Sequence, residues 1–159
     1  MKKIVAFLIT MLLLFTTNIN AFTVVIEPSE NSISEIVYFD DGSYIETTLT
    51  IEESNISTLA SNTISGSRKM IYKNSDGEAQ WTAILKGTFT YTGSSATCTA
   101  SSITYSISND NWRITSATAS KSGNKATGNI IAKYYFLFVP TKTVEAPIAI
   151  TCSATGVLS

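Results

Sequence analysis

Short stretches in which apolar and polar residues alternate recur along the chain, and WTAILKGTFTY at residues 81–91 shows the pattern most clearly. Trp81, Leu85 and Phe89 fall on one parity, whereas threonine and lysine fill the other, with Ile84 as the one apolar exception. A period of two residues is typical of a strand with one buried face. Residues 81–91 are therefore predicted to form a half-buried strand.

Two tight turns are indicated by Asp-Gly pairs that stand between alternating stretches. Asp41-Gly42 precedes SYIETTLTI, and Asp76-Gly77 precedes EAQWTAILKG. Asp-Gly is favoured in hairpin turns because glycine adopts a positive φ without a steric penalty. Both pairs are predicted to close β-hairpins.

The remaining strands are predicted from parity and from turn residues. Apolar positions change parity after Cys98, which predicts a bulge near residues 101–102. Trp112 is expected to open the next strand after the turn SNDN. Residues 130–138 are apolar on both parities near their end, as in a central strand. Pro140 is expected to end that strand, before a last strand IAITCSA.

No stretch after the N-terminal apolar run keeps a helical period, so the predicted fold class is all-β: an antiparallel β-sandwich of about seven to nine strands. Cys98, Trp112 and Cys152 are spaced much like the cysteine, tryptophan and cysteine of immunoglobulin domains. However, Ile150 stands where those domains have a corner tyrosine, and the seven residues after Cys152 are too few for a complete final hairpin. We expect an immunoglobulin-like architecture at most.

The first 21 residues have the layout of a secretory signal peptide. Lys2 and Lys3 precede an apolar run over residues 4–15, and Ala21 provides a small residue for cleavage. A membrane anchor is the alternative, but this run is shorter than the ~20 residues that span a bilayer. Residues 1–21 are therefore predicted to be removed near Ala21, which leaves a secreted, extracellular chain with no stable membrane anchor.

Charge divides the rest of the chain at about residue 64. Residues 22–64 hold eight carboxylates and no lysine or arginine, whereas residues 65–159 hold four carboxylates and nine basic residues. Two solvated surfaces of opposite sign are the favoured explanation; docking of the acidic segment on the basic body, or shielding of the body until processing, is the alternative. We predict an acidic N-terminal hairpin and linker at 22–64, least patterned over 52–67, and a sandwich domain at 65–159. The basic residues are too sparse for a nucleic-acid-binding face, so no nucleic acid partner is expected.

The two cysteines, Cys98 and Cys152, are expected to form a disulfide, since an even pair in an exported chain usually does. The bond would close a loop of about 55 residues and contribute on the order of 4 kcal/mol. A zinc site is a poor alternative, because the chain contains no histidine to complete the usual ligand sphere. The domain at 65–159 is thus predicted to be stapled by one disulfide, with no metal ligands.

The absence of histidine also removes the common forms of Ser-His and Cys-His nucleophilic catalysis. No glycine-rich phosphate loop occurs, so no cofactor is predicted. Paired carboxylates, as in glycosidases, are the remaining catalytic alternative. The candidates in the body are better explained as turn and surface residues: Asp76, Glu78, Asp110 and Glu145. We therefore predict no catalytic residue.

Aromatic residues are the better candidates for ligand binding. Trp112 follows a turn and could stack on a sugar, although a place in the core against the disulfide is the favoured interpretation. Tyr134 and Tyr135 are neighbours on a strand, so one should be buried and the other exposed. Three lysines could form a basic strip beside Tyr135 or simply be solvated: Lys121, Lys125 and Lys133.

Three blocks of sequence, GTFTYTGSSATCT, SGNKATG and the C-terminal ITCSATGVLS, carry a resemblance that covers about residues 68–159. Together they resemble a group of small secreted β-domain proteins of Gram-positive, clostridia-like bacteria. The resemblance implies export, paired cysteines and a compact β domain. It implies no activity and no catalytic residues.

The expected function is that of a secreted, non-enzymatic binding or structural module at the cell surface or in the medium. A cell-wall glycan, an envelope component or another surface protein is the expected partner. Two alternatives remain at this point: a secreted glycan hydrolase that uses two carboxylates, and a secreted toxin or bacteriocin-like protein whose Ser/Thr-rich strands rearrange into a membrane pore.

Overall fold

The structure, a computed structural model, describes residues 24–29, 32–55 and 62–159. The predicted signal peptide at 1–21 lies outside these residues. In the described part of the chain, no helix is long and apolar enough to cross a membrane.

Across the ranges that the structure describes, nine antiparallel strands form two sheets. The larger sheet has six strands in chain order, β1 to β6, and the smaller sheet has β7, β8 and β9. The strands are β1 (Val24–Ser29), β2 (Ser32–Tyr38), β3 (Tyr44–Asn55), β4 (Asn62–Lys73), β5 (Ala79–Tyr91), β6 (Ala96–Ile107), β7 (Trp112–Ser122), β8 (Lys125–Phe136) and β9 (Val139–Thr151). The predicted all-β class with two antiparallel sheets is confirmed.

The smaller sheet packs on the β4–β6 part of the larger sheet, and the apolar parity of each strand points into the space between them. Trp81, Leu85 and Phe89 of β5 are fully buried, as the alternation in this strand predicts. They meet Ile130 of β8 and Ile150 of β9, which are also fully buried. The core is therefore formed by one face of each sheet, as in a β-sandwich.

Both Asp-Gly hairpins are confirmed. Gly42, between β2 and β3, has φ +78°, and Gly77, between β4 and β5, has φ +82°. These backbone angles are left-handed and strongly favour glycine. The prediction of a central strand near residues 130–138 is also confirmed, because β8 pairs with β7 on one side and β9 on the other.

Three boundaries differ from the predictions. The bulge in β6 leaves Thr99 without a partner residue, a little before the predicted position, because Phe89 pairs with Cys98 and Thr88 with Ala100. Pro140 does not end a strand; it lies in β9, at the edge of the smaller sheet, where a missing N–H is tolerated. The predicted linker at 52–67 is strand on both sides, since Asn55 of β3 pairs with Thr63 of β4; only residues 56–61 lie outside the described part.

The predicted Cys98–Cys152 disulfide is not present, and both cysteines are buried free thiols. Each thiol donates a hydrogen bond to a nearby carbonyl oxygen, that of Ala100 for Cys98 (3.3 Å) and that of Ser153 for Cys152 (3.4 Å). Burial raises the pKa of both thiols, and the proximity of Cys98 raises that of Cys152 further. The prediction was wrong because cysteine number and compartment do not fix the distance and direction between two sulfur atoms.

The immunoglobulin arrangement of a tryptophan packed on the cysteine pair is absent as well. Trp112 lies at the start of β7, where it contacts Tyr72. The backbone N–H groups of Cys98 and Cys152 bond to the turn at 123–124, beyond the opposite end of β7. The tryptophan and the thiols therefore belong to opposite ends of the core.

Candidate functional site

Trp112, a predicted ligand-binding residue, is only 4% exposed. Its ring packs edge-on against Tyr72, with 5.0 Å between centroids, and against Tyr134, with 5.5 Å. Tyr72 in turn stacks on the fully buried Trp81. The indole of Trp112 is thus part of an aromatic core and has no free face on which a sugar could stack.

Tyr134 and Tyr135 point to opposite faces of β8, and each is partly buried. Tyr134 packs on Trp112, whereas the ring of Tyr135 lies 4.9 Å below the guanidinium of Arg113. Arg113 was missed in the sequence, because its place beside Tyr135 depends on the pairing of β7 with β8. The predicted basic strip is not assembled: Lys121 and Lys125 lie near the turn at 123–124, at the other end of this hairpin, and only Lys133 pairs with Arg113.

The four candidate carboxylates are all exposed. Asp76, Glu78 and Asp110 lie in or beside turns, and Glu145 of β9 accepts a hydrogen bond from an Asn129 side chain (2.9 Å). Among the described residues, no group of three or more metal-ligating side chains occurs.

Lys142 of β9 is the centre of a polar cluster that joins the two sheets. Its ammonium group donates hydrogen bonds to Asp41, to the hydroxyl of Tyr72 (2.6 Å) and to the hydroxyl of Ser43 (3.2 Å). Ser43 and Tyr72 are 3% and 2% exposed, so the lysine supplies a hydrogen-bond partner to the buried Tyr72 hydroxyl, while the Ser43 hydroxyl also donates to Asp41 (2.5 Å). The cluster fastens the turn between β2 and β3 to β9.

The electrostatics of this cluster favour a structural role. Burial acts to lower the pKa of Lys142, but the bonds to Asp41 and Tyr72 outweigh it and the pKa is raised. A lysine that serves as a nucleophile or base requires a lowered pKa. Burial likewise acts to raise the pKa of Asp41, and the bonds from Lys142 and Ser43 outweigh it and lower the pKa. Both groups are therefore held in their charged forms.

Three ion pairs occur among the described residues, and each joins an acid of the segment 22–64 to a base of the body. Besides Asp41 and Lys142, they connect Glu46 with Lys73 (2.6 Å) and Glu52 with Lys86 (3.1 Å). β3 also pairs with β4 along most of its length. These contacts favour docking of the acidic segment on the body over two separately solvated surfaces.

The most unusual feature of the surface is the turn between β8 and β9, here called the apolar tip and defined as Phe136–Val139. All four side chains are exposed, with Leu137 at 76% and Phe138 at 91%. Leu137 has φ 48° and Phe138 has φ 70°. Among the described residues, these two are the only residues other than glycine with a positive φ.

The backbone of the apolar tip requires residues that the sequence does not supply. Two successive positive φ angles define a two-residue hairpin turn in which Asn-Gly is preferred. A bulky side chain in this region costs of order 1–3 kcal/mol. Full burial of one Leu or Phe side chain, in contrast, is worth about 1.5–3 kcal/mol. The tip is thus unfavourable for the free chain and favourable once another surface covers it.

No family model, no curated protein and no solved structure matches this chain. The resemblance to small secreted proteins of clostridia-like bacteria stays a prediction.

Proposed function

We propose that the chain is a secreted, non-enzymatic binding module that contacts its partner through the apolar tip. One observation carries this proposal: Leu137 and Phe138 are held in a left-handed backbone that suits neither residue, with both side chains in solvent. Strained backbone conformations persist where a function requires them. Secretion rests on the predicted signal peptide at 1–21.

The scaffold behind the tip is well suited to present it. Phe136 pairs with Val139 across the hairpin, and the backbone N–H of Tyr135 donates to the carbonyl oxygen of Asn111 (2.8 Å). Lys142, a few residues further along β9, is fastened to Asp41 and Tyr72. A tip that is fixed before binding loses little conformational entropy when it is covered.

The chemistry of the tip favours an apolar partner over a glycan. Its four side chains contain no hydrogen-bonding group, whereas sugars are bound by polar groups together with stacked rings. The ring predicted to stack on a sugar, Trp112, is buried. The hydrolase alternative gains no support from the exposed carboxylates, and no described contact specifically favours the pore-forming alternative.

Photo-crosslinking from the tip tests the proposal. Benzoylphenylalanine is introduced in place of Leu137 in one variant and in place of Val157 in a matched control, since Val157 is also apolar and 64% exposed but lies near the C-terminus, by the thiol end of the core. Both variants are irradiated in the culture of the producing cells. We expect a discrete adduct of higher mass from position 137 and none from position 157.

Competition gives the specificity of that adduct. Excess unlabelled wild-type protein should suppress it, whereas excess protein with Leu137→Asn and Phe138→Gly should not, because that variant keeps the turn and lacks the apolar side chains. Equal adducts from positions 137 and 157, or none from position 137, would sink the proposal. So would equal competition by the two proteins.

A further inference from the structure

The apolar tip lies at an end of the sandwich that three other turns share. The turns at 39–43 and 74–78 approach each other, since a side chain added at Gly42 would lie 3.3 Å from Ser75. The turn at 108–111 is bonded to the carbonyl oxygen of Gln80 and to Tyr135 beside the tip. Lys142 connects the tip hairpin to the first of these turns. The four turns therefore form one surface, here called the tip end.

The tip end is acidic. The three turns around the tip contain five carboxylates and no lysine or arginine: Asp40, Asp41, Asp76, Glu78 and Asp110. Of these, only Asp41 takes part in an ion pair among the described residues. At the opposite end, the turns at 92–95 and 123–124 contain no charged side chain, and Lys121 and Lys125 flank the second of them. The turns around the tip are therefore net negative, although Arg113 lies over Tyr135 beside the tip and Lys73 precedes the turn at 74–78, whereas the corresponding turns at the other end contain no charged side chain.

The shape of the tip restricts its partner to a concave surface. It is a two-residue turn on a single pair of strands, so only about 5 Å separates the two strands that carry it. A flat surface would cover little of Phe138, which is 91% exposed. An apolar pocket would cover it together with Leu137, as anchor residues are covered in protein interfaces.

The surrounding charge distinguishes a protein pocket from a lipid membrane. One short apolar tip gives, like a single acyl chain, only marginal and reversible membrane binding unless basic residues add to it. Here most of the added charges are carboxylates, which anionic lipids and anionic wall polymers repel. A protein pocket edged by basic side chains would instead be attracted to all four unpaired carboxylates.

We infer that the partner of the apolar tip is a protein with an apolar pocket edged by lysine or arginine side chains. This inference rests on the proposed function and adds the class and charge of the partner. In such a complex Phe138 and Leu137 would fill the pocket, and Asp40, Asp76, Glu78 and Asp110 would steer the approach.

The test measures the initial rate of crosslinking from position 137 at about 0.05 M and about 0.5 M salt, between which exposed charges become largely screened. A rim variant carries Asp76→Asn, Glu78→Gln and Asp110→Asn, and Glu145→Gln is the control for an exposed carboxylate away from the tip end. For the protein that keeps all of its carboxylates, we expect the crosslinking rate to fall about tenfold at high salt. The rim variant should be slow at both salt concentrations, whereas Glu145→Gln should behave like the parent.

Vesicle binding and the mass of the adduct distinguish a protein partner from lipid and from a second copy of the chain. Binding to vesicles of neutral phosphatidylcholine, abolished by Leu137→Asn with Phe138→Gly, would overturn the inference in favour of lipid and leave the proposed function intact. An adduct of twice the chain mass would identify a second copy and overturn it as well. A protein adduct that forms at the same rate at both salt concentrations, and at the same rate in the rim variant, would contradict a pocket edged by basic side chains. No adduct from the tip at all would instead contradict the proposed function.

Discussion

The turn between β4 and β5 and the turn between β8 and β9 close hairpins at the same end of the molecule with opposite kinds of residue. The first places Gly77 at φ +82°, where glycine is favoured. The second places Leu137 and Phe138 at φ 48° and 70°, where side chains are disfavoured. The residues of the first turn therefore suit the fold of the chain, whereas those of the second are explained best by the proposed contact with a partner.

The surroundings of the two turns support this distinction. In the first, the Asn74 side chain accepts a hydrogen bond from the backbone N–H of Glu78 (2.8 Å) and donates one to its carboxylate (3.0 Å). In the second, the four side chains are exposed and apolar, so none of them satisfies the backbone of the turn. Local hydrogen bonding stabilises one turn and strain is retained in the other.

The largest effect on stability is expected from Lys142→Met, which removes the contact between the β2–β3 turn and the base of the tip hairpin. The buried hydroxyl of Tyr72 would lose its bond from the lysine, and Asp41 its ion pair. We expect the free energy of unfolding to fall by roughly 2–3 kcal/mol. Urea unfolding measures it, with the exposed Lys125→Met as control. Equal small losses in both variants would show that the cluster does not hold the two sheets.

A smaller loss is expected from Gly77→Ala. The added methyl group has room, since its nearest neighbour is the Tyr44 hydroxyl at 3.4 Å, so the cost arises from the positive φ alone. We expect a loss of about 1–2 kcal/mol in urea unfolding. Ser75→Ala, in the same exposed turn, is the control and should change little. No loss from Gly77→Ala would remove the contrast between the two turns, because a side chain would then be tolerated at either.

The smallest effect concerns pH. Because the pKa of Asp41 is lowered in the folded chain, its contribution is complete above its ordinary value of 3.8 and is lost as the pH falls through the folded value. The pKa of Lys142 is raised, so its contribution is complete below 10.5 and is lost as the pH rises through the folded value. The Asp41 side chain is half exposed, so solvent screening should hold its effect on stability below ~1 kcal/mol.

Comparison of the wild type with Asp41→Asn measures this pH dependence. The difference in unfolding free energy should be constant at neutral pH and shrink in acid. If the stability advantage of the wild type over Asp41→Asn grew in acid, the carboxylate would be destabilising, and Asp41 could not be a stabilising member of the cluster.

Features fixed by local chemistry could be predicted from the sequence. Gly42 and Gly77 mark their turns, and the alternation around Trp81 marks a half-buried strand, because both signals depend on neighbouring residues. Features fixed by pairing between distant strands were missed. Arg113 meets Tyr135 through the register of β7 and β8, and Lys142 meets Asp41 through the packing of two sheets.

The apolar tip was missed for a different reason. Residues 136–139 contain no turn-forming residue, so the sequence there indicates a continuing strand that ends at Pro140. The predicted disulfide is the opposite case, because a feature was expected that the structure does not contain. The composition favours a bond between Cys98 and Cys152, but it does not determine how the two sulfur atoms are positioned. Where a local rule is broken at an exposed position, as at Leu137 and Phe138, a functional reason is the first to test.

Urea unfolding of the variant with Leu137→Asn and Phe138→Gly tests the central claim most directly. If Leu137 and Phe138 serve binding at a cost to the stability of the free chain, replacing them with the preferred turn pair should raise the free energy of unfolding by about 1 kcal/mol. A fall in that free energy would show that Leu137 and Phe138 stabilise the free chain, and would contradict the account.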